Sequence, residues 1–298
     1  MVDFRNKKNG RRLHIAVVFV FLVLLVIPAC STAPKNPGDI YQLRRQAEAQ
    51  LGIGNREADR GSPHVAIVVL DEAMRLAVAA DNPGLRIRVG LSRGNALLSL
   101  DRRDEAEECW NRALAEAERA GNNELAAVCR IYIARGKLLS PEGKSSAQSI
   151  RDDVSRNLVL IKSDRLYTAF AWTIVGLAEK ELGRYAQAES AVRNSLDIHE
   201  KDRYLELAAY DWFIIASFRS LAADYKGARQ ALETAIAFDR RIENSWGLAT
   251  DWRAYGDVCR KAGDQAAARD AYSRAAEIFH AIGNGQAADE ARSRAENR

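Results

Sequence analysis

The segment "RYAQAESAVRNSL", residues 184–196, is the clearest copy of a pattern that recurs in five other parts of this chain. Each copy carries an alanine at the same place, and successive alanines stand 40 or 41 residues apart. A fixed period of this size is typical of repeat proteins in which one repeat is one supersecondary unit. The aligned alanines are Ala66, Ala106, Ala147, Ala188, Ala228 and Ala268.

Small residues recur at two further positions of each repeat. Small side chains let helix backbones approach closely, and a large residue one turn away fills the remaining space. The pattern therefore predicts closely packed helix pairs. Seven residues after the alanine stand Ala73, Ala113, Val154, Ser195, Ala235 and Ala275. Twelve residues before it stand Gly54, Gly94, Arg135, Gly176, Ala216 and Gly256.

Tryptophans mark the last three repeats, sixteen residues before the aligned alanine. Trp172, Trp212 and Trp252 occupy this position, and we interpret them as core residues. The third repeat departs most from the pattern, with Arg135 at a small-residue position and Arg151 where a large apolar residue is expected. We expect it to be distorted or divergent.

From about Ile40 onward, the composition favours helices. Alanine, leucine, arginine, glutamate and glutamine are common, and all of these are strong helix formers. Ser62-Pro63 and Ser140-Pro141 are typical of a helix N-cap followed by a proline in the first turn. No sustained two-residue alternation competes with the helical pattern. The sequence therefore predicts an all-α body.

The small-residue positions, with Tyr185 and Tyr225 three residues before the alanine, resemble the tetratricopeptide repeat (TPR) family in its longer-helix variants. This resemblance implies a right-handed superhelical solenoid of about six helix-turn-helix repeats, spanning residues 39–298 as one cooperative domain. Residues 285–297 are expected to form a polar closing helix that covers the last pair.

The N-terminus has the order of a bacterial export signal. Basic residues precede an apolar core from Ile15 to Ile27, which is too short for a comfortable membrane span. The segment Ile27-Pro28-Ala29-Cys30 resembles the lipobox of bacterial lipoproteins, in which the cysteine is acylated. We predict a signal peptide at 1–29, a lipid on Cys30 and a tether at 30–38. An uncleaved anchor and a plain secretory signal are the alternatives.

Removing the signal makes the mature chain neutral. The whole chain has 44 basic and 40 acidic residues, and residues 1–29 hold five of the basic and one of the acidic, leaving 39 of each. A nucleic-acid partner, which would require a basic face, is not expected. Ser31 is not the aspartate that retains enteric lipoproteins in the inner membrane, so the outer membrane is the favoured location.

Sequence motifs for catalysis are missing. The chain has no P-loop, no nucleophile elbow, no zinc-protease motif and no C-x-x-C. The sequence therefore predicts no enzyme, no cofactor and no metal. Cys109, Cys129 and Cys259 are interpreted as buried thiols, with a Cys109–Cys129 disulfide as the alternative.

The resemblance also implies where a partner binds, because the family's concave wall comes from the first helix of each pair. Read onto this chain, the wall includes an aromatic centre flanked by polar and charged groups. Aromatic residues are common binding anchors, although long helices can bury the same face. The predicted groove residues are Tyr132, Phe170, Thr173, Tyr210, Phe213, Arg253 and Asp257.

Two functions fit these expectations. The first is a lipid-anchored, periplasm-facing scaffold that holds an envelope protein or peptide segment in the groove during envelope assembly or secretion. The second is a small-molecule binding accessory protein, in which the solenoid encloses an aromatic pocket. A closed apolar cavity favours the second function, and an open groove favours the first.

Overall fold

The computed structural model describes residues 38–296, and this part of the chain contains thirteen α-helices and no β-strand. The prediction of an all-α fold built from six helix pairs and a closing helix is confirmed. The pairs are α1 (Asp39–Asp59) with α2 (Pro63–Ala79), α3 (Pro83–Ser99) with α4 (Arg103–Arg119), α5 (Asn123–Leu138) with α6 (Gly143–Leu158), α7 (Arg165–Glu181) with α8 (Tyr185–Lys201), α9 (Leu205–Leu221) with α10 (Tyr225–Arg241), and α11 (Ser245–Lys261) with α12 (Gln265–Ala281), followed by α13 (Gly285–Glu296).

Contacts divide the chain into a unit of residues 1–42 and a unit of residues 43–298, and the repeats belong to the second. From α2 to α13, each helix packs against the next along the chain, which is the order of a solenoid. The predicted signal peptide and Cys30 lie outside the described residues, so the predictions made for them stay predictions.

The glycine positions of the repeat are close contacts between the two helices of a pair. A Cβ atom at Gly54 would lie 2.6 Å from Cγ of Leu70, and one at Gly176 would lie 2.6 Å from Cγ2 of Val192. Both distances are too short for carbon atoms, so only glycine fits there unless the partner moves. The expectation of close helix packing from the small-residue pattern is thereby confirmed.

The most deeply buried tryptophan is Trp110, not one of the three that the sequence pattern singled out. Its side chain is 1% exposed, and its Nε1 donates a hydrogen bond to the Leu91 carbonyl oxygen over 3.2 Å. Trp172, Trp212 and Trp252 are half-buried and pack at the edges of the core clusters. Their interpretation as core residues is correct only in part.

Repeat three departs from the regular pattern in the turn that connects α5 to α6. Ser140-Pro141 does not begin a helix as predicted, because α6 starts at Gly143. The Gly143 amide instead donates to the Ser140 carbonyl over 3.0 Å, which places Pro141 in the second position of a tight turn. Arg151 replaces the expected apolar residue, and its Nε lies 2.9 Å from Oε1 of the buried Glu179.

The three cysteines in the described part of the chain are buried and free. The interpretation as buried thiols is confirmed for Cys109, Cys129 and Cys259, and the alternative Cys109–Cys129 disulfide is not formed. Among residues 38–296, no helix combines the length and apolar character that a membrane span requires.

Candidate binding surface

The inner wall of the solenoid is formed by the first helices of the pairs. Besides packing on their own partners, α3 contacts α5, α5 contacts α7, and α9 contacts α11. Helices that approach one another in this way lie on the inside of a curved stack. Residues three and four positions apart share one face of a helix, so each first helix presents one stripe to this wall.

Tyr132 and Phe170, two of the predicted groove residues, contact each other through their rings. Their ring centroids are 4.5 Å apart, and Tyr167 approaches Tyr132 edge-on at 6.5 Å. Tyr132 is buried, and this burial raises the pKa of its hydroxyl to about 12. Tyr132 therefore supports the neighbouring rings from below and has little exposed surface that a partner could contact.

Tyr210 and Phe213 form a second aromatic pair on α9. Their rings are close to parallel, with an interplanar angle of 13° and centroids 6.3 Å apart. Tyr210 is 50% exposed, yet burial raises the pKa of its hydroxyl. A side chain that keeps half its surface open while protein surrounds it lies in a concavity. Tyr210 is therefore an accessible aromatic group within a recessed surface.

Arg135 connects the two aromatic pairs electrostatically. Its positive charge opposes the rise in pKa that burial causes at both Tyr132 and Tyr210. Its Nη1 also donates to Oδ1 of Asn95 over 3.2 Å, which joins α5 to α3. In the described part of the chain, no ring contact links one pair to the other. The irregular residue of repeat three thus contributes a cation to the wall.

Thr173 lies below the surface of the wall. Its side chain is 6% exposed, and its Oγ1 lies 3.1 Å from Oγ of Ser195 on α8. Ser195 Oγ donates to Oδ1 of Asp211 over 3.2 Å, and His199 Nδ1 lies 2.7 Å from Asp211 Oδ2. Burial raises the pKa of the Asp211 carboxyl, and the His199 ring opposes this rise.

This Ser, His and Asp network was not found from the sequence, because Ser195 and His199 lie on α8 and Asp211 lies on α9 of the next repeat. A visible signal is that the His199 position carries an apolar residue in repeats one, two, three and six and a polar one only in repeats four and five. Both side chains of the pair are almost fully buried. The arrangement joins repeats four and five, and it leaves no accessible nucleophile.

Arg253 and Asp257 lie on the same stripe of α11 but are engaged with the closing helices. The guanidinium of Arg253 stacks over the Phe279 ring at 5.5 Å. Asp257 Oδ1 accepts hydrogen bonds from the Tyr272 hydroxyl over 2.8 Å and from Arg294 over 2.9 Å. Whether any predicted groove residue contacts a partner stays a prediction, and the accessible pair Tyr210 and Phe213 is the strongest candidate.

A pair of carboxyls, Asp239 on α10 and Asp251 on α11, is buried in repeats five and six. Asp239 and Asp251 occupy the positions in repeats five and six that His199 and Asp211 occupy one repeat earlier. Burial, together with the charge of Asp239, raises the pKa of Asp251 to about 9. Asp251 therefore carries a proton at neutral pH and shares it with Asp239, whose Oδ1 also accepts from Asn244 over 3.1 Å.

The first repeat touches the sixth near this group. A Cβ atom at Gly61 would lie 2.8 Å from Cδ2 of Trp246, so the indole lies directly against the Gly61 backbone. Asp59, the last residue of α1, lies two positions before Gly61, and desolvation and the charge of Glu206 raise its pKa to about 6. The turn after α1 therefore contacts the start of α11, which joins the first repeat to the sixth.

A second groove lies away from the predicted binding surface and contains none of the predicted groove residues. It has a volume of about 560 Å³ and lies between α2, α3 and α4, with Arg93 and Cys109 in its lining. Within residues 38–296, no cluster of histidine, cysteine and carboxylate side chains has the arrangement of a metal site.

No family model and no curated protein sequence matches this chain. Solved structures do resemble it. A Rap protein complexed with Competence and Sporulation Factor is 15% identical, aligns over 84% of this chain and 74% of its own, and has a TM-score of 0.58. BtubC (BKLC) from P. vanneervenii is 17% identical over 79% of this chain and 92% of its own, with a TM-score of 0.54. These likenesses show a shared fold, the TPR-type helical solenoid.

Proposed function

We propose that this protein is a non-catalytic scaffold of the bacterial cell envelope, held to the membrane by a lipid on Cys30 and facing the periplasm. Its inner wall binds an extended segment or helix of an envelope protein. The outer membrane is the location that the residue after Cys30 favours. The observation that carries the proposal is Tyr210, which is 50% exposed and stacks beside the half-buried Phe213 on a first helix of the solenoid.

Three further observations support this function. Aromatic groups in recessed surfaces supply large contact area at a low cost in side-chain entropy, which is why they anchor many interfaces. The Ser, His and Asp network is sealed in the interior, so it supports packing more readily than catalysis. A Rap protein with this fold is complexed with Competence and Sporulation Factor, so the fold is compatible with holding a partner molecule.

Replacing Tyr210 and Phe213 together with alanine tests the binding surface. We expect the double variant to capture the physiological partner from detergent-solubilised envelope at least tenfold less efficiently than the wild type. The reason is that loss of one anchoring aromatic residue costs about 2 kcal/mol or more of binding free energy. Quantitative mass spectrometry of the captured proteins provides the measurement.

Trp212→Ala is the matched control for this experiment. Trp212 lies on the same helix, is also half-buried, and points away from the Tyr210 stripe because residues two apart do not share a face. It should leave capture unchanged. Equal partner yields from the double variant and the wild type would show that the inner wall is not the binding surface.

Cys30→Ala tests the membrane anchor. Without the thiol no acyl chain can be attached, and we expect the protein to leave the membrane fraction while its helical circular dichroism stays unchanged. Ser31→Ala serves as the control and should remain bound. Retention of Cys30→Ala in the membrane fraction would exclude lipid anchoring at this residue.

The alternative function, small-molecule binding in an enclosed aromatic pocket, is favoured by one observation. The contact between Gly61 and Trp246 brings the two ends of the stack together, which narrows the space around the inner wall. Native mass spectrometry of the protein purified from its own membrane distinguishes the two functions. A bound small molecule that is lost in the Tyr210 and Phe213 double variant would favour the alternative.

A further inference from the structure

The groove between α2, α3 and α4 combines apolar side chains with an excess of arginines. Met74, Val78 and Ala113 supply its apolar surface. Four arginines line it against two carboxylates, so the lining carries a net positive charge. Its volume of about 560 Å³ is in the range of small-ligand sites. The four arginines are Arg86, Arg93, Arg112 and Arg119.

Two of these arginines neutralise the two carboxylates of the lining. Arg86 Nε donates to Oε1 of Glu116 over 2.6 Å, and Arg93 Nε donates to Oδ1 of Asp71 over 2.6 Å. Arg119 forms no ion pair with any of the residues that the structure describes, and its Nε donates to a backbone carbonyl one turn earlier over 3.2 Å. The excess positive charge of the groove therefore lies on α4.

Arg112 adds to this charge on α4. It stands seven residues before Arg119, so the two guanidinium groups share one face of the helix. Arg112 pairs with Glu108, but both side chains are exposed, and an exposed pair of this kind contributes little to stability. Arg112 can therefore exchange its carboxylate for the anionic group of a ligand.

The apolar surface of the groove continues along the outer face of α2. Val78 lines the groove and is 53% exposed, and Val68 and Val65 are 70% and 50% exposed towards the start of the helix. The other five second helices that the structure describes expose no large hydrophobic side chain to this degree within their bounds. The first repeat thus has an apolar face that the later repeats lack.

This face lies at the end of the solenoid that is closest in sequence to Cys30. Leu43 on α1 packs against the core cluster that contains Leu76 of α2 and Leu85 of α3. Cys30 and Leu43 stand 13 residues apart, and a chain of this length reaches at most about 45 Å. A lipid on Cys30 would therefore hold the groove close to the bilayer surface, a step that rests on the proposed anchor.

We propose that this groove binds the headgroup phosphate of an anionic phospholipid, with Val65 and Val68 against the membrane surface. The guanidinium groups of Arg112 and Arg119 bind the phosphate, because arginine matches the geometry of phosphate oxygens. Met74 and Val78 contact the apolar part of the lipid. The protein is then held at two points, since stable membrane binding generally requires a second signal besides one acyl chain.

Native mass spectrometry of the full-length protein in detergent micelles tests this proposal, with dioleoylphosphatidylglycerol and dioleoylphosphatidylcholine as probes. We expect the anionic lipid to bind about tenfold more tightly than the zwitterionic one. The mass of the protein also reports the acyl group on Cys30, so the anchor and the groove are measured separately. Equal binding of the two lipids would overturn the proposal, whether or not Cys30 is acylated.

Arginine variants locate the lipid in the groove. Arg119→Gln removes no ion pair within the described fold, and it should weaken binding of phosphatidylglycerol about fivefold. Arg93→Gln together with Arg119→Gln should weaken it about twentyfold. Arg165→Gln with Arg292→Gln, which removes two exposed arginines of later helices, is the matched control and should bind like the wild type. Unchanged binding by both groove variants contradicts the proposal.

Two further probes distinguish the membrane from other sources of negative charge. Glycerol 3-phosphate supplies the phosphate without acyl chains, and a peptide of alternating glutamate and leucine represents an acidic protein segment. Both should bind at least tenfold more weakly than phosphatidylglycerol if the apolar face is used as proposed. Equal or tighter binding of either probe would overturn the membrane assignment in favour of a free phosphate compound or an acidic protein.

Discussion

Replacing Trp110 with alanine should lower the free energy of unfolding by about 4 kcal/mol, as expected for removal of a fully buried aromatic side chain. The indole lies between two glycines from successive pairs. A Cβ atom at Gly94 would collide with its five-membered ring, and one at Gly136 would lie 2.5 Å from Cζ3. The variant would leave a cavity between the two glycines and lose the hydrogen bond to the Leu91 carbonyl oxygen.

Urea unfolding followed by circular dichroism provides the measurement, with Trp212→Ala as the matched control. Trp212 is half-buried beside the guanidinium of Arg193, which lies 5.7 Å from its ring. Because its ring is already partly in water, the control should lose only about 1 to 2 kcal/mol. Equal losses for the two variants would mean that Trp110 is not the central packing residue of repeats two and three.

The sequence allowed the fold to be predicted because helix packing depends on a few small residues in a fixed register. Gly54, Gly94, Gly176 and Gly256 recur at one position, and each meets a large side chain of its partner helix. The individual burial of each tryptophan could not be predicted in the same way. Trp110 is buried because Gly136 of the next repeat approaches from the other side, and this depends on the stacking of repeats.

The sequence allowed the aromatic neighbours to be predicted but not how exposed each of them is. The register placed Tyr132, Phe170, Tyr210 and Phe213 on one wall, and the structure pairs them as neighbours. The exposure of each ring was not predictable, because it depends on how closely successive helix pairs stack. Tyr132 is buried and Tyr210 is half-exposed, although they stand only three residues apart in the repeat register, 15 and 18 residues before the aligned alanine.

The contact between repeats one and six was not predictable from local patterns. Gly61 and Trp246 belong to the two ends of the repeat array, and only the curvature of the whole stack decides whether they meet.

At pH 8, Asp211→Ala and Asp251→Ala should change the free energy of unfolding in opposite directions, although they remove the same group from equivalent positions of adjacent repeats. Asp211 accepts from Ser195 and is paired with His199 in the interior. Its removal leaves both partners buried without an acceptor, and we expect a loss of about 3 kcal/mol in the free energy of unfolding. Asp251 instead faces a second carboxyl, and its Oδ2 accepts from no donor among the described residues.

The pH dependence of Asp251→Ala provides the sharper test. Because the folded state raises the pKa of Asp251 from 3.8 to about 9, this carboxyl favours folding below pH 3.8 and opposes it increasingly as the pH rises towards 9. The variant should therefore be less stable than the wild type at pH 4, by about 1 kcal/mol for lost packing, and more stable at pH 8. Urea unfolding at both pH values, with Asp211→Ala destabilised at each, measures the contrast. If Asp251→Ala were destabilised equally at pH 4 and pH 8, the two carboxyls would not be sharing a proton, and repeats five and six would be joined by some other contact.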